Sequence, residues 1–107
     1  MPTKNTVKIA TADPASLLAQ IKKEIDDGKI DTWAYDKDGD FTHIPDQWDK
    51  KAWLRPSVGT GALELTIVWP KNSEQDPAIA GVFLGRFIEM LVVHFSAEFM
   101  HASAVKK

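Results

Sequence analysis

The chain has 107 residues, 44 % of them apolar and 26 % charged, which excludes a disordered segment and leaves room for one hydrophobic core rather than two. A formal net charge of −2 lacks the basic excess of a general nucleic-acid binder. With no Cys, disulfides and thiolate metal sites are excluded, and a reducing, cytoplasmic setting is expected.

In chain order, residues 1–12 are polar apart from Val7 and Ile9, and read as a flexible tail or a short edge strand. They contain no apolar run of signal-peptide type. Asp13-Pro14 is a helix start, with Asp as N-cap and Pro in the first turn. Leu17, Leu18, Ile21 and Ile25 recur at helical spacing, and Gly28 is a stop, so a first helix is predicted over 14–27.

Residues 30–36 read as a strand running into Asp38-Gly39, a strong hairpin signal. A two-residue loop there pairs Lys37 with Asp40, Tyr35 with Thr42 and Trp33 with Ile44. That register places Phe41 and His43 on the face opposite Trp33 and Tyr35. Residues 52–58 read as a third strand, and Pro56, which cannot donate to a ladder, predicts an edge or a bulge there. Residues 62–69 alternate cleanly, with Leu63, Leu65, Ile67 and Trp69 on one face. Asp76-Pro77 repeats the cap-plus-Pro signal, and a second helix is predicted over 77–101, about 37 Å long at 1.5 Å per residue.

The expected fold is α+β, a single domain over 1–107 in two layers. An antiparallel sheet of three to four strands carries two helices in the order α-β-β-β-β-α, with a long C-terminal helix.

That C-terminal helix is apolar nearly all round. On a wheel, Ile79, Phe83, Phe87 and Met90 fall on one side and Ile88, Phe95 and Phe99 on the other, with Leu84 and Leu91 between. Such a helix is buried on more than one side. Its second face should meet the first helix, another copy of the chain or a partner. A membrane span is set aside because Arg86, Glu89 and His94 lie near the middle of the apolar stretch.

Candidate sites follow from side-chain chemistry. Asp36, Asp38 and Asp40 have the opening spacing of a calcium loop, but Gly39 and Gln47 stand where that loop needs other residues, so a charged turn is the reading preferred. His43, His94 and His101 show no metal-ligand spacing. No metal and no cofactor are therefore expected. Asp36 and His43 are diagonal neighbours in the predicted register, which permits a base–carboxylate dyad without requiring one. Arg86 and Glu89, three apart, read as an ion pair at the helix rim or as polar groups facing a pocket. Trp33, Trp48 and Trp53 with Arg55 suit either a stacking surface or the core. No phosphate loop, nucleophile elbow or zinc-protease motif is present, so the enzyme reading is left open and disfavoured.

The segments Ile30-Asp-Thr-Trp33, Asp38-Gly-Asp-Phe-Thr-His43 and Gly85-Arg-Phe-Ile-Glu-Met-Leu91 resemble those of short, uncharacterised bacterial proteins. The resemblance implies a small bacterial accessory protein and brings no activity with it. The order helix, strands, helix also resembles double-stranded-RNA-binding domains. The start of the last helix, Asp76-Pro-Ala-Ile-Ala80, lacks the basic cluster such domains use, which argues against RNA.

Two functional expectations result. The first is an interaction module, joined to a second copy or another protein through Leu84, Phe87, Ile88, Leu91 and Phe95. The second is a small-molecule binder or enzyme with a pocket between sheet and C-terminal helix, drawing on Trp33, Tyr35, His43, Trp53, Arg86 and Glu89.

Overall fold

The computed structural model describes residues 5–71 and 73–106. Six strands and two helices follow one another as β1 (Asn5–Ala10), α1 (Pro14–Asp26), β2 (Trp33–Tyr35), β3 (Phe41–His43), β4 (Trp53–Gly59), β5 (Ala62–Val68), α2 (Pro77–Phe95) and β6 (His101–Lys106). The strands form one antiparallel sheet in the order β2-β3-β4-β5-β1-β6. The α+β expectation holds. The sheet has six strands rather than three or four, because both chain ends contribute to it.

Both helices begin as the sequence predicts. The Asp13 carboxylate accepts from the Ser16 N–H at 3.0 Å, and that of Asp76 from the Ala78 N–H at 2.9 Å. Pro follows each cap, where its missing N–H costs nothing. α1 closes at Gly28, whose φ of 79° is the left-handed value Gly tolerates.

The ends of the chain depart from expectation. Residues 5–10 are an interior strand, paired to β5 on one side and to β6 on the other; residues 1–4 of the predicted tail lie outside the described residues. α2 stops at Phe95 instead of reaching 101. Phe99 keeps helical phase, but the last turns of a helix leave carbonyls unpaired, whereas an extended chain here gains the whole free edge of β1. The Thr11 hydroxyl donates to the Glu98 carbonyl at 2.7 Å and the Met100 N–H to the Ala10 carbonyl at 2.7 Å. These bonds steer the chain into β6.

Pro56 lies in a strand with neighbours on both sides, yet the reading behind it survives locally. β3 pairs with β4 only at Phe41 and Leu54, so Pro56 has no β3 residue opposite it.

The hairpin register also differs. The Asp36 carboxylate accepts from the N–H groups of Asp38 and Asp40, each at 3.0 Å, and Asp36 pairs through its own N–H with the Asp40 carbonyl. The loop is therefore Lys37-Asp38-Gly39, with Gly39 at φ 84°. A three-residue loop closing on a left-handed Gly is the alternative to a two-residue turn. Trp33 faces His43 and Tyr35 faces Phe41. A slip of one residue turns every side chain to the other face. Phe41 and His43 thus join Trp33 on the helix side of the sheet.

The core lies between that face and the helices. Val7, Ile9, Leu54, Leu63, Leu65 and Ile67 from the sheet meet Leu17 and Ile21 of α1 and a broad face of α2. Phe87 anchors it. Its ring meets Trp33 edge-on, centroids 5.1 Å apart, and Phe41 at 5.7 Å. Such arrangements suit the aromatic quadrupole.

Candidate ligand cleft

The hairpin register builds the site. It places His43 on the inner face, against Trp33 at 4.8 Å between ring centroids and edge-on to Phe83 at 6.2 Å. Above the ring, α2 presents Arg86 and Glu89 one turn apart. A cleft of about 440 Å³ opens between them, with Trp33, His43 and Met90 in its walls, Trp48 from the loop after β3, and Arg86 and Glu89 at its rim.

His43 is the unusual group. It is only 6 % exposed, and its Nδ1 is buried with no hydrogen-bond partner. Burial pushes the imidazole below its ordinary value; a hydrogen bond to the Thr32 carbonyl opposes this, Arg86 adds to the lowering and Glu89 resists it. A buried polar atom without a partner costs free energy.

The rim is less constrained. Arg86 Nη1 reaches both Glu89 oxygens at 3.3 Å, both side chains are more than half exposed, and the pair adds little stability. His94, at the far end of the cleft, has its Nδ1 3.6 Å from Glu24 Oε1 and so links α2 to α1.

Of the residues expected to form a pocket, Trp33, His43, Arg86 and Glu89 come together here, and Tyr35 and Trp53 do not. The Tyr35 hydroxyl donates to the Asp26 carboxylate at 2.7 Å, on the α1 side. Trp53 shares its face with Arg55 on the outer side of the sheet, since Leu54 between them points inward. Reading the hairpin one residue out hid the contact between His43 and Trp33. Asp31, Gln47 and Val93, also in the walls, carry no pattern that would single them out.

The residues expected at an interface are placed otherwise. Leu84, Phe87, Leu91 and Phe95 are in the chain's own core, and Ile88 is partly buried against it. The calcium-like aspartates serve the turn instead. Asp40, nearly buried, takes Arg55 Nη2 at 2.8 Å and Nε at 3.1 Å. Among the described residues no three His, Asp or Glu side chains converge as a metal site.

No protein-family model, curated protein or solved structure matches the chain.

Proposed function

We propose that the chain is a small-molecule-binding protein whose ligand occupies the cleft between the β2–β3 hairpin and α2 and places an N–H or O–H donor against His43. The cleft itself carries this reading, with the nearly buried His43 beside Trp33 in its wall and Arg86 and Glu89 at its rim. The volume of the cleft, about 440 Å³, is within the usual range of small-ligand sites, about 300–1,000 Å³. Its lining is mixed, with apolar walls from Trp33, Trp48, Met90 and Val93 among charged and polar side chains. The formal charges around it cancel, Lys29 and Arg86 against Asp31 and Glu89. That favours a neutral or zwitterionic ligand over a polyanion. The proposal is of binding.

A fragment set rich in phenols, anilides and heteroaryl amines tests it, watched through the indole N–H signals of Trp33 and Trp48 and the imidazole of His43. Donor-bearing fragments should move these signals together and saturably, and His43→Phe should abolish the response. If no fragment moves them, or if the responding residues lie elsewhere, the reading fails.

A further inference from the structure

Arg55 and Arg86 are held in different ways. Arg55 meets the nearly buried Asp40 with two nitrogens, Nη2 at 2.8 Å and Nε at 3.1 Å, and is fixed by it. Arg86 reaches Glu89 with Nη1 alone, at 3.3 Å to each oxygen, and among the described residues nothing else bonds its guanidinium. An exposed pair of that length gives up little when a ligand parts it. The Nε and Nη2 of Arg86 keep their donors for a planar anion such as a carboxylate, which the guanidinium fork matches with two hydrogen bonds.

The rim of the cleft therefore offers one loosely engaged cation and, one helical turn away, one loosely engaged anion. The connection between α1 and β2 adds Lys29 and Asp31 to the same lining. Both rim charges on α2 are felt at the His43 imidazole, Arg86 lowering and Glu89 raising its proton affinity. Opposite charges and the aromatic wall of Trp33 and His43 thus meet at one place.

A ligand that fills this cleft displaces water from both charges, and each then needs a new partner. A neutral ligand supplies neither. An anion repels Glu89 and a cation repels Arg86. An α-amino acid supplies both partners. Its ammonium and carboxylate are joined through one carbon by bonds of about 1.5 Å, a spacing that suits rim charges 3.3 Å apart. The apolar lining from Trp33, Trp48 and Met90 suits an aromatic side chain, because rings pack well on one another edge-on or offset. A volume of about 440 Å³, toward the lower end of the range for small-ligand sites, suits one such molecule.

We propose that the ligand of the cleft is a free aromatic α-amino acid, its carboxylate on Arg86, its ammonium on Glu89 and its ring against Trp33 and Trp48. This rests on the cleft being the binding site and adds the chemistry that its two rim charges select.

L-phenylalanine, titrated into the isotopically labelled full chain and followed at the indole N–H signals of Trp33 and Trp48, tests it. Phenethylamine, which lacks the carboxylate, and 3-phenylpropionate, which lacks the ammonium, keep the ring. At neutral pH the dissociation constant of L-phenylalanine should be at least about tenfold below that of either analogue. Arg86→Gln should reduce its affinity to that of phenethylamine, and Glu89→Gln to that of 3-phenylpropionate. Both side chains are more than half exposed, so circular dichroism and thermal midpoint should stay as in the native chain. If L-phenylalanine binds no more tightly than its analogues while these still saturate the two indole signals, the proposal fails and the cleft remains a binding site. Native affinity for L-phenylalanine in both variants overturns it as well. If no aromatic compound moves the indole signals, the proposal and the cleft reading fail together.

Discussion

Replacing His43 by Phe tests the energetic argument behind the cleft. In most cores, exchanging a buried polar side chain that holds a hydrogen bond destabilises the fold. Here the two contributions oppose each other. The imidazole loses its hydrogen bond to the Thr32 carbonyl, a loss of about 0.5–1.5 kcal/mol. That carbonyl also accepts from the Ile44 N–H at 2.9 Å and is not left bare. Against this, the unpartnered Nδ1 disappears, and its burial costs about 1–3 kcal/mol. The new phenyl ring keeps the contacts with Trp33 and Phe83. The variant should therefore lie between about 0.5 kcal/mol less and about 2.5 kcal/mol more stable than the native chain at pH 8, from the difference of those two terms. The pH dependence gives a second readout. Burial lowers the folded-state pKa of His43 from its ordinary 6.5, so the unfolded chain binds the proton more readily. The stability advantage of neutral His43 is complete above pH 6.5 and falls as the pH drops toward the folded-state value, with a limiting slope of about 1.36 kcal/mol per pH unit. Urea denaturation of both proteins between pH 8 and pH 5 measures this. The native chain should weaken on acidification more than His43→Phe, and the two curves should diverge below pH 6.5. A variant clearly less stable than the native chain at pH 8, with parallel curves to pH 5, would show that Nδ1 is satisfied in solution.

Two further substitutions test the frame that holds the cleft. Phe87→Ala empties the centre of the aromatic cluster and should cost about 3–5 kcal/mol in chemical denaturation; a loss below 1 kcal/mol would mean that Trp33 and Phe41 do not pack on α2 as described. Gly39→Ala should cost about 1–2 kcal/mol, since the left-handed conformation is unfavourable for any residue with a Cβ, and the added methyl would sit 3.2 Å from Lys22 Nζ; an unchanged midpoint would mean that Gly39 does not hold the left-handed conformation that closes the loop.

What the sequence reveals here depends on how local the signal is. Both helix starts are legible because Asp-Pro acts within one turn, through a carboxylate and a missing N–H on neighbouring residues. β5 is legible because Leu63, Leu65 and Ile67 alternate with half-exposed partners on a sheet covered on one side only. β6 is not, since His-Ala-Ser-Ala-Val has no strong strand preference and takes its conformation from the free edge of β1, nearly the whole chain away. The same long-range demand shortens α2, against the helical phase of Phe99. The hairpin was decided by a competition the residue types leave undecided. Asp38-Gly39 suits a two-residue turn, but the Asp36 carboxylate can gather two backbone N–H groups only if the loop is one residue longer. That single hydrogen-bonding choice determines on which face His43 lies, and so the sequence names the members of the cleft, Trp33, His43, Arg86 and Glu89, without bringing them together.

The all-round apolarity of α2 has a structural explanation in three parts. Phe83, Leu84, Phe87, Leu91 and Phe95 serve the chain's own core. Met90 and Val93 line the cleft beside Arg86 and Glu89, which are charged because that wall opens to water. Ile88 packs partly on the same core, and Val92, with the glycines at 81 and 85, has neither duty. Two glycines within a 19-residue helix cost about 0.5–1 kcal/mol each relative to alanine, and a Cβ built on either meets nothing within 4 Å inside the chain. Intramolecular packing therefore gives no reason for them.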